Sequence, residues 1–181
     1  HDASDPTRPM LAWPSAVSAY IEVESELGHH ELARRTGEQA LEECRRLGCN
    51  IASFPIHTSL ALAEARSGEL AQAAGRLDTV IAEERALGVT GLSLGASYEA
   101  RTRVAIWAGD SAQVEQFGRL TATEYRHGTS SSLAARYERL LREAAAPGMG
   151  QLPSLSEVRS SLSANAADSD LATQVELHRR A

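Results

Sequence analysis

Only a few side chains in this sequence are of types that could do chemistry, and their spacing matches no metal-binding motif. Residues 29–31 read His-His-Glu, but adjacent histidines point to different sides of a helix and share no obvious third ligand. Cys44 and Cys49 could join His57 in a ligand set, yet that set would cross a helix end and fits no zinc pattern. We therefore expect no metal, and interpret Cys44 as a small core residue.

Catalytic and nucleotide-binding motifs are also missing from the sequence. No serine lies in the Gly-x-Ser-x-Gly pattern of a nucleophile elbow. Gly91 and Gly95 follow no predicted strand, and all 18 basic residues are arginine, so no phosphate-loop lysine is present. Glu22, Glu24 and Glu26 resemble a solvated helix face as much as an acid–base pair. We expect no enzymatic activity and no cofactor, and expect Gly95 to allow close helix packing.

The composition indicates an all-α protein. Of the 181 residues, 43% are hydrophobic but only 4% are aromatic, so the core must be built largely of alanine and leucine, which favour helices. A net charge of -6 repels a phosphate backbone and argues against nucleic-acid binding. No uninterrupted apolar stretch approaches the roughly 18 residues of a membrane span. We therefore expect no membrane partner. Because two cysteines make no disulfide framework, we also expect a cytoplasmic location.

Glycine recurs at a fixed interval, which predicts the elements that must position any functional side chain. Successive members lie 40 or 41 residues apart in two interleaved series, Gly28, Gly68 and Gly109, and Gly48, Gly88 and Gly128. Such a period is typical of stacked helix pairs that bury their apolar faces only against neighbouring pairs. The sequence therefore predicts an α-solenoid of antiparallel helix pairs with a period of about 40 residues.

The glycines also set the expected boundaries. The first helix should run from about Pro14 to Leu27, and a capping box of Ser154 and Glu157 should open a late helix. Matching positions such as Glu84 and Glu124 are interpreted as part of a solvated stripe. The predicted divisions are a lead-in or linker over 1–11, a helical repeat domain over 12–150, and capping helices or a tail over 151–181.

The glycine turns resemble those of the tetratricopeptide-repeat superfamily. Residues 68–73, Gly-Glu-Leu-Ala-Gln-Ala, fit the family's turn into its second helix, and Gly28 with Ala33 fits as well. Leu77 and Phe117 match the large apolar residue of that second helix. The likeness covers roughly residues 13–147, although a 40-residue period exceeds the family's usual 34.

A second likeness concerns the setting of the array. The lysine-free, alanine- and leucine-rich composition and the Leu-Gly endings at Leu47 and Leu87 are similar to arrays attached to large bacterial serine/threonine kinases and signal-transduction ATPases. The resemblance implies a sensing or scaffolding part of a bacterial signalling protein, which would be a fragment of a longer chain.

The tetratricopeptide resemblance also implies where a partner would bind. In that family the first helix of each pair lines the concave face, and its polar positions select the ligand. Aligned on the turn glycines, these positions are Ser18, Glu22, Thr58, Arg66, Glu99, Arg103 and Trp107. We expect a protein or peptide partner, or self-association.

Trp107 is the strongest candidate anchor, unless it packs on a neighbouring helix. Replacing Trp107 or Arg103 by alanine is expected to weaken partner binding without unfolding the array. A small-molecule-sensing domain and a structural or dimerisation spacer remain as alternatives.

Overall fold

A computed structural model of the chain describes residues 8–126, 131–145, 152–154, 156–158 and 160. Within these ranges the chain is helical and contains no strand, which confirms the predicted all-α class for this part. Nor does any helix in these ranges have the length and apolar character needed to cross a membrane. A short 3-10 turn, Ile51–Ser53, precedes the third α-helix; the α-helices are α1 (Arg8–Glu26), α2 (His30–Leu47), α3 (Phe54–Arg66), α4 (Leu70–Ala86), α5 (Leu92–Ala108), α6 (Ser111–Tyr125) and α7 (Ser131–Ala144).

The helix ends fall at the predicted glycines because these residues adopt the left-handed conformation. At Gly48, with φ of 69°, the backbone N–H donates to the Arg45 carbonyl, and the Cys49 N–H donates to the Cys44 carbonyl. This pair of bonds satisfies carbonyls that the helix leaves free, and a Cβ would strain the required backbone. The same positive φ occurs at Gly28, Gly68, Gly88 and Gly109. The predicted Gly128 lies outside the described residues.

The helices pack in chain order and also against the next helix but one. Consecutive helices from α1 to α7 contact each other, and α3 additionally contacts α1 and α5, while α5 contacts α7. The odd-numbered helices therefore lie side by side. Residues 40 positions apart on these helices consequently meet, as in the ion pairs of Arg66 with Glu26 and of Arg103 with Glu143.

The core is rich in alanine and leucine, as the composition predicted. Between α1, α2 and α3 it includes Ile21, Leu60 and Cys44, and the Cys44 side chain is only 2% exposed. Burial raises the pKa of the Cys44 thiol, so the thiol behaves as a small apolar group. Two tyrosines, Tyr125 and Tyr137, are also fully buried, on α6 and α7.

The predicted start of the first helix is wrong. The helix begins at Arg8 and not at Pro14, so the last four residues of the expected lead-in over 1–11 are helical. Pro9 lies in the first turn, where a missing N–H costs nothing, whereas Pro14 lies inside the helix and lacks the N–H of a helical hydrogen bond. Because proline is favoured at a helix start and unfavourable inside a helix, the sequence pointed to Pro14 as the start.

The predicted capping box is present. The Ser154 N–H donates to Glu157 Oε2 at 2.6 Å, and the Glu157 N–H donates to Ser154 Oγ at 3.2 Å. These backbone and side-chain hydrogen bonds hold the pKa of Glu157 below its usual value. A helical stretch follows at 156–158. Of the predicted capping helices or tail over 151–181, residues 151, 155, 159 and 161–181 lie outside the described residues.

Gly95 permits close packing of α5 against α6, as predicted. A Cβ at this position would lie 2.4 Å from Tyr125 Cε1, nearer than atoms can pack. The Tyr125 ring is fully buried and occupies the space that the missing side chain leaves. Gly95 thus lets Tyr125 reach Glu99, which lies one turn further along α5.

We expect Gly95→Ala to lower the free energy of unfolding by about 1–3 kcal/mol, because the methyl group forces Tyr125 out of place. The matched control is Gly75→Ala in α4, where an added Cβ meets no atom within 4 Å. That substitution should raise stability by about 0.5–1 kcal/mol through helix propensity. Chemical denaturation followed by circular dichroism measures both, and equal stabilisation by the two changes would contradict close packing at Gly95.

Candidate functional site

All seven predicted partner-binding residues line one cleft with a volume of about 930 Å³. Four helices supply most of its wall, namely α1, α3, α5 and α7. Along each helix cleft residues recur every three or four positions, so they share a face, as Glu22 and Glu26 do on α1. Residues that line the cleft but were not among the predicted set include Ser59, Glu84, Ser93, Ser97, Arg136, Arg139 and Glu143.

One end of the cleft carries a row of three contacting side chains, Glu26, Arg66 and Trp107, which we call the turn row. Arg66 Nη2 lies 3.3 Å from Glu26 Oε1, and the Arg66 guanidinium carbon lies 5.6 Å from the centroid of the Trp107 ring. The Trp107 side chain is 38% exposed. A guanidinium near an aromatic face is stabilising, and this one keeps Trp107 at the cleft wall.

Deeper in the cleft, Glu99 holds three helices together. Its carboxylate is only 1% exposed. The Tyr125 hydroxyl donates to Oε2 at 2.6 Å, and Arg136 Nη2 lies 2.9 Å from the same oxygen. Arg103 Nη2 forms an ion pair at 2.8 Å from Oε1, without hydrogen-bond geometry, while its Nε donates to Glu143. Glu99 thus joins α5 to α6 and α7.

The partners of Glu99 have shifted pKa values that suit this arrangement. Burial, followed by the charge of Glu99 and its hydrogen bond, raises the pKa of Tyr125 well above its usual value. Partial burial works to lower the pKa of Arg136, but the charge and hydrogen bond of Glu99, together with Tyr125 and Glu22, outweigh it, and the pKa is raised. Tyr125 therefore remains a donor and Arg136 remains charged at physiological pH.

At the other end, polar side chains of α1 and α3 bind each other. The hydroxyls of Ser18 and Ser59 lie 2.5 Å apart, and Ser59 donates to Glu22 Oε1 at 2.8 Å. Thr58, which the alignment selected, lines the cleft but donates its hydroxyl to the Phe54 carbonyl of its own helix. Ser59 therefore makes the contact between helices. Its position 41 residues after Ser18, one repeat further along the chain, could have indicated this contact.

The interpretation of Glu84 as part of a solvated stripe is wrong, since its side chain is 0% exposed. Glu84 lies four residues before Gly88, as Cys44 lies four before Gly48, and Cys44 belongs to the apolar stripe of α2. Alignment with Cys44 could thus have indicated burial. Likewise, Arg139 and Glu143 follow Glu99 and Arg103 by 40 residues, a spacing that marks them as cleft residues.

Comparison with known proteins gives no family for this chain. No family model matches it, and no curated protein or solved structure does so either. In the described ranges, no group of three or more histidine, cysteine, aspartate or glutamate residues could hold a metal ion. The chemistry of the cleft is therefore argued from its own side chains.

The expectation that Arg103→Ala leaves the fold undisturbed needs revision, because Arg103 neutralises a buried carboxylate. We expect Arg103→Ala to lower the free energy of unfolding by about 1.5–3 kcal/mol, since Glu99 Oε1 loses its cation. The control is Arg119→Ala, which removes an exposed ion pair with Glu115 and should change stability by less than about 1 kcal/mol. Urea denaturation distinguishes them; equal effects would mean that Arg103 contributes no more than a surface charge.

Proposed function

We propose that this chain is a non-catalytic binding module, a solenoid of tetratricopeptide-like helix pairs whose cleft binds an extended peptide segment of a partner protein. The observation that carries the proposal is the meeting of all seven predicted polar positions in one cleft. They lie on α1, α3 and α5, the helices that correspond to the first helix of each pair. Side chains 40 or 41 residues apart contact each other across these helices, as the repeat requires.

The dimensions of the cleft suit an extended chain. Neighbouring helix axes pack about 9 Å apart, and an extended peptide advances about 3.3 Å per residue. A segment of about eight or nine residues therefore reaches from α1 to α7. Such a segment would meet a polar side chain from a new helix at about every third residue, which is a basis for sequence selectivity.

The charges of the cleft also favour a peptide of mixed character. Its lining contains five carboxylates and four guanidinium groups, so it offers partners to both signs of charge. The Trp107 ring, with the Arg66 guanidinium beside it, adds an aromatic surface at the turn row. Aromatic and arginine side chains commonly dominate the binding energy of interfaces, so we assign Trp107 as the principal anchor.

The setting of the module follows from the likeness of its composition and helix endings to bacterial regulators. We infer that it acts as the sensing or scaffolding part of a bacterial signalling protein and works in the cytoplasm. A small-molecule ligand is the second candidate, because a volume of about 930 Å³ falls within the range of small-molecule pockets. A melting-temperature screen against metabolites tests that candidate separately.

A displayed library of random nine-residue peptides, selected against the full chain, tests the proposal. We expect Trp107→Ala to weaken binding of a selected peptide about tenfold or more, because it removes the anchor. The matched control is Tyr20→Ala on α1, an aromatic side chain of similar exposure, 44% against 38%, that does not line the cleft. Fluorescence anisotropy measures both affinities.

Circular dichroism of the two variants shows that each keeps its helical content. If selected peptides bind wild type and Trp107→Ala with equal affinity, the cleft assignment is wrong. If the library yields no binder, peptide recognition itself fails.

A further inference from the structure

Glu84 places an unpartnered carboxylate oxygen in the cleft wall. The side chain is fully buried on α4, and Oε1 accepts a hydrogen bond from the Ser93 hydroxyl at 2.9 Å. Oε2 has no hydrogen-bond partner. Ser93 and Ser97, both on α5, line the cleft beside it. The wall at this point thus combines one unsatisfied carboxylate oxygen with two hydroxyl groups.

Burial of this carboxylate is costly, and only Oε1 joins α4 to α5, through the hydrogen bond from Ser93. A buried charge is destabilising unless it is paired and hydrogen-bonded. Glu64, the buried glutamate of α3, meets that condition, since Arg76 and Gln72 donate to its oxygens. At the position of α2 that corresponds to Glu84, the small side chain of Cys44 packs equally well, at 2% exposure. Oε1 thus contributes to the contact between α4 and α5, whereas Oε2 has no hydrogen-bond partner there.

The arginines of the cleft do not supply the missing partner. Arg66 pairs with Glu26, while Arg103 and Arg136 both pair with Glu99. Arg139 makes no ion pair within the described part and is exposed on α7, and Glu84 Oε2 accepts no hydrogen bond from it. A ligand group that carries positive charge would donate to Glu84 Oε2 and also suit a carboxylate that has no cation beside it.

We propose that Glu84, with the hydroxyls of Ser93 and Ser97, forms a subsite for a primary ammonium group of the bound peptide, that is, a lysine side chain. An ammonium group has three N–H donors and no acceptor, and the subsite offers one carboxylate oxygen and two hydroxyl oxygens. A guanidinium would present a wider, planar set of donors than one carboxylate oxygen can accept. This inference rests on the proposed peptide-binding function and names the residue that the cleft selects.

The test uses small probes with the full chain. N-acetyl-lysine amide carries the ammonium group, N-acetyl-norleucine amide lacks it, and N-acetyl-arginine amide replaces it with guanidinium. In two-dimensional proton–nitrogen spectra we expect the lysine probe to shift the amide signals of Ser93 and Ser97. Its dissociation constant should be at least tenfold lower than that of the norleucine probe, and lower than that of the arginine probe.

Glu84→Gln should remove the preference for lysine over norleucine, whereas Glu83→Gln should leave it intact. The Glu83→Gln substitution changes the charge by the same amount at an exposed position of α4 that lies outside the cleft. Because Oε2 has no partner to lose, Glu84→Gln should not lower the melting temperature, while Glu64→Gln should lower it by breaking a satisfied network. Glu84→Cys, chosen because Cys44 occupies the equivalent position of α2, serves as a second variant if the glutamine variant does not fold.

The subsite assignment is wrong if the lysine probe binds wild type and Glu84→Gln with equal affinity. It is also wrong if wild type binds the lysine and norleucine probes with equal affinity. A stronger preference for the arginine probe would overturn the choice of ammonium. Failure of the subsite differs from failure of the proposed function. In the first case, library peptides bind through Trp107 without lysine enrichment; in the second, no peptide is selected, yet the lysine probe still binds at Glu84.

Discussion

The structure depends on the left-handed glycines that end its helices at nearly constant intervals. Because Gly28, Gly68 and Gly109 close α1, α3 and α5 at equivalent points, these helices lie side by side in the same register. Side chains 40 or 41 residues apart therefore meet, and the turn row is one result. These contacts place the polar side chains of successive odd-numbered helices on one face. A few polar positions per helix therefore determine which side chains line the cleft.

Charge burial then decides which cleft residues are available to a ligand. Gly95 makes room for Tyr125, whose hydroxyl donates to Glu99, and Arg103 and Arg136 form ion pairs with the same carboxylate. These side chains stabilise the floor of the cleft, and a ligand must leave their contacts in place. The exposed Trp107 ring and the unsatisfied oxygen of Glu84 are not committed in this way. Stability and recognition are thus assigned to different residues of one surface.

The sequence predicted the features that depend on local backbone chemistry and on the repeat. It located the helix ends at glycine, the Ser154–Glu157 capping box and the polar face of the odd helices. It missed features that depend on side-chain rotation and tertiary contact. Ser59 makes the contact between helices instead of Thr58 because one residue rotates a position by about 100° on a helix. Glu84 was misassigned because charge alone suggests solvent, although its equivalent Cys44 is buried.

The most direct test of the account is to map a selected peptide on the full chain by amide chemical-shift changes. The cleft is built from α1, α3, α5 and α7, whereas α2 and α6 contribute no lining residue within the described ranges. Binding in the cleft therefore predicts amide shift changes concentrated on the odd-numbered helices, including Ser93 on α5. It also predicts a shift change of the Trp107 indole signal. Shifts confined to the exposed faces of α2 and α6, with the Trp107 indole unchanged, would contradict it.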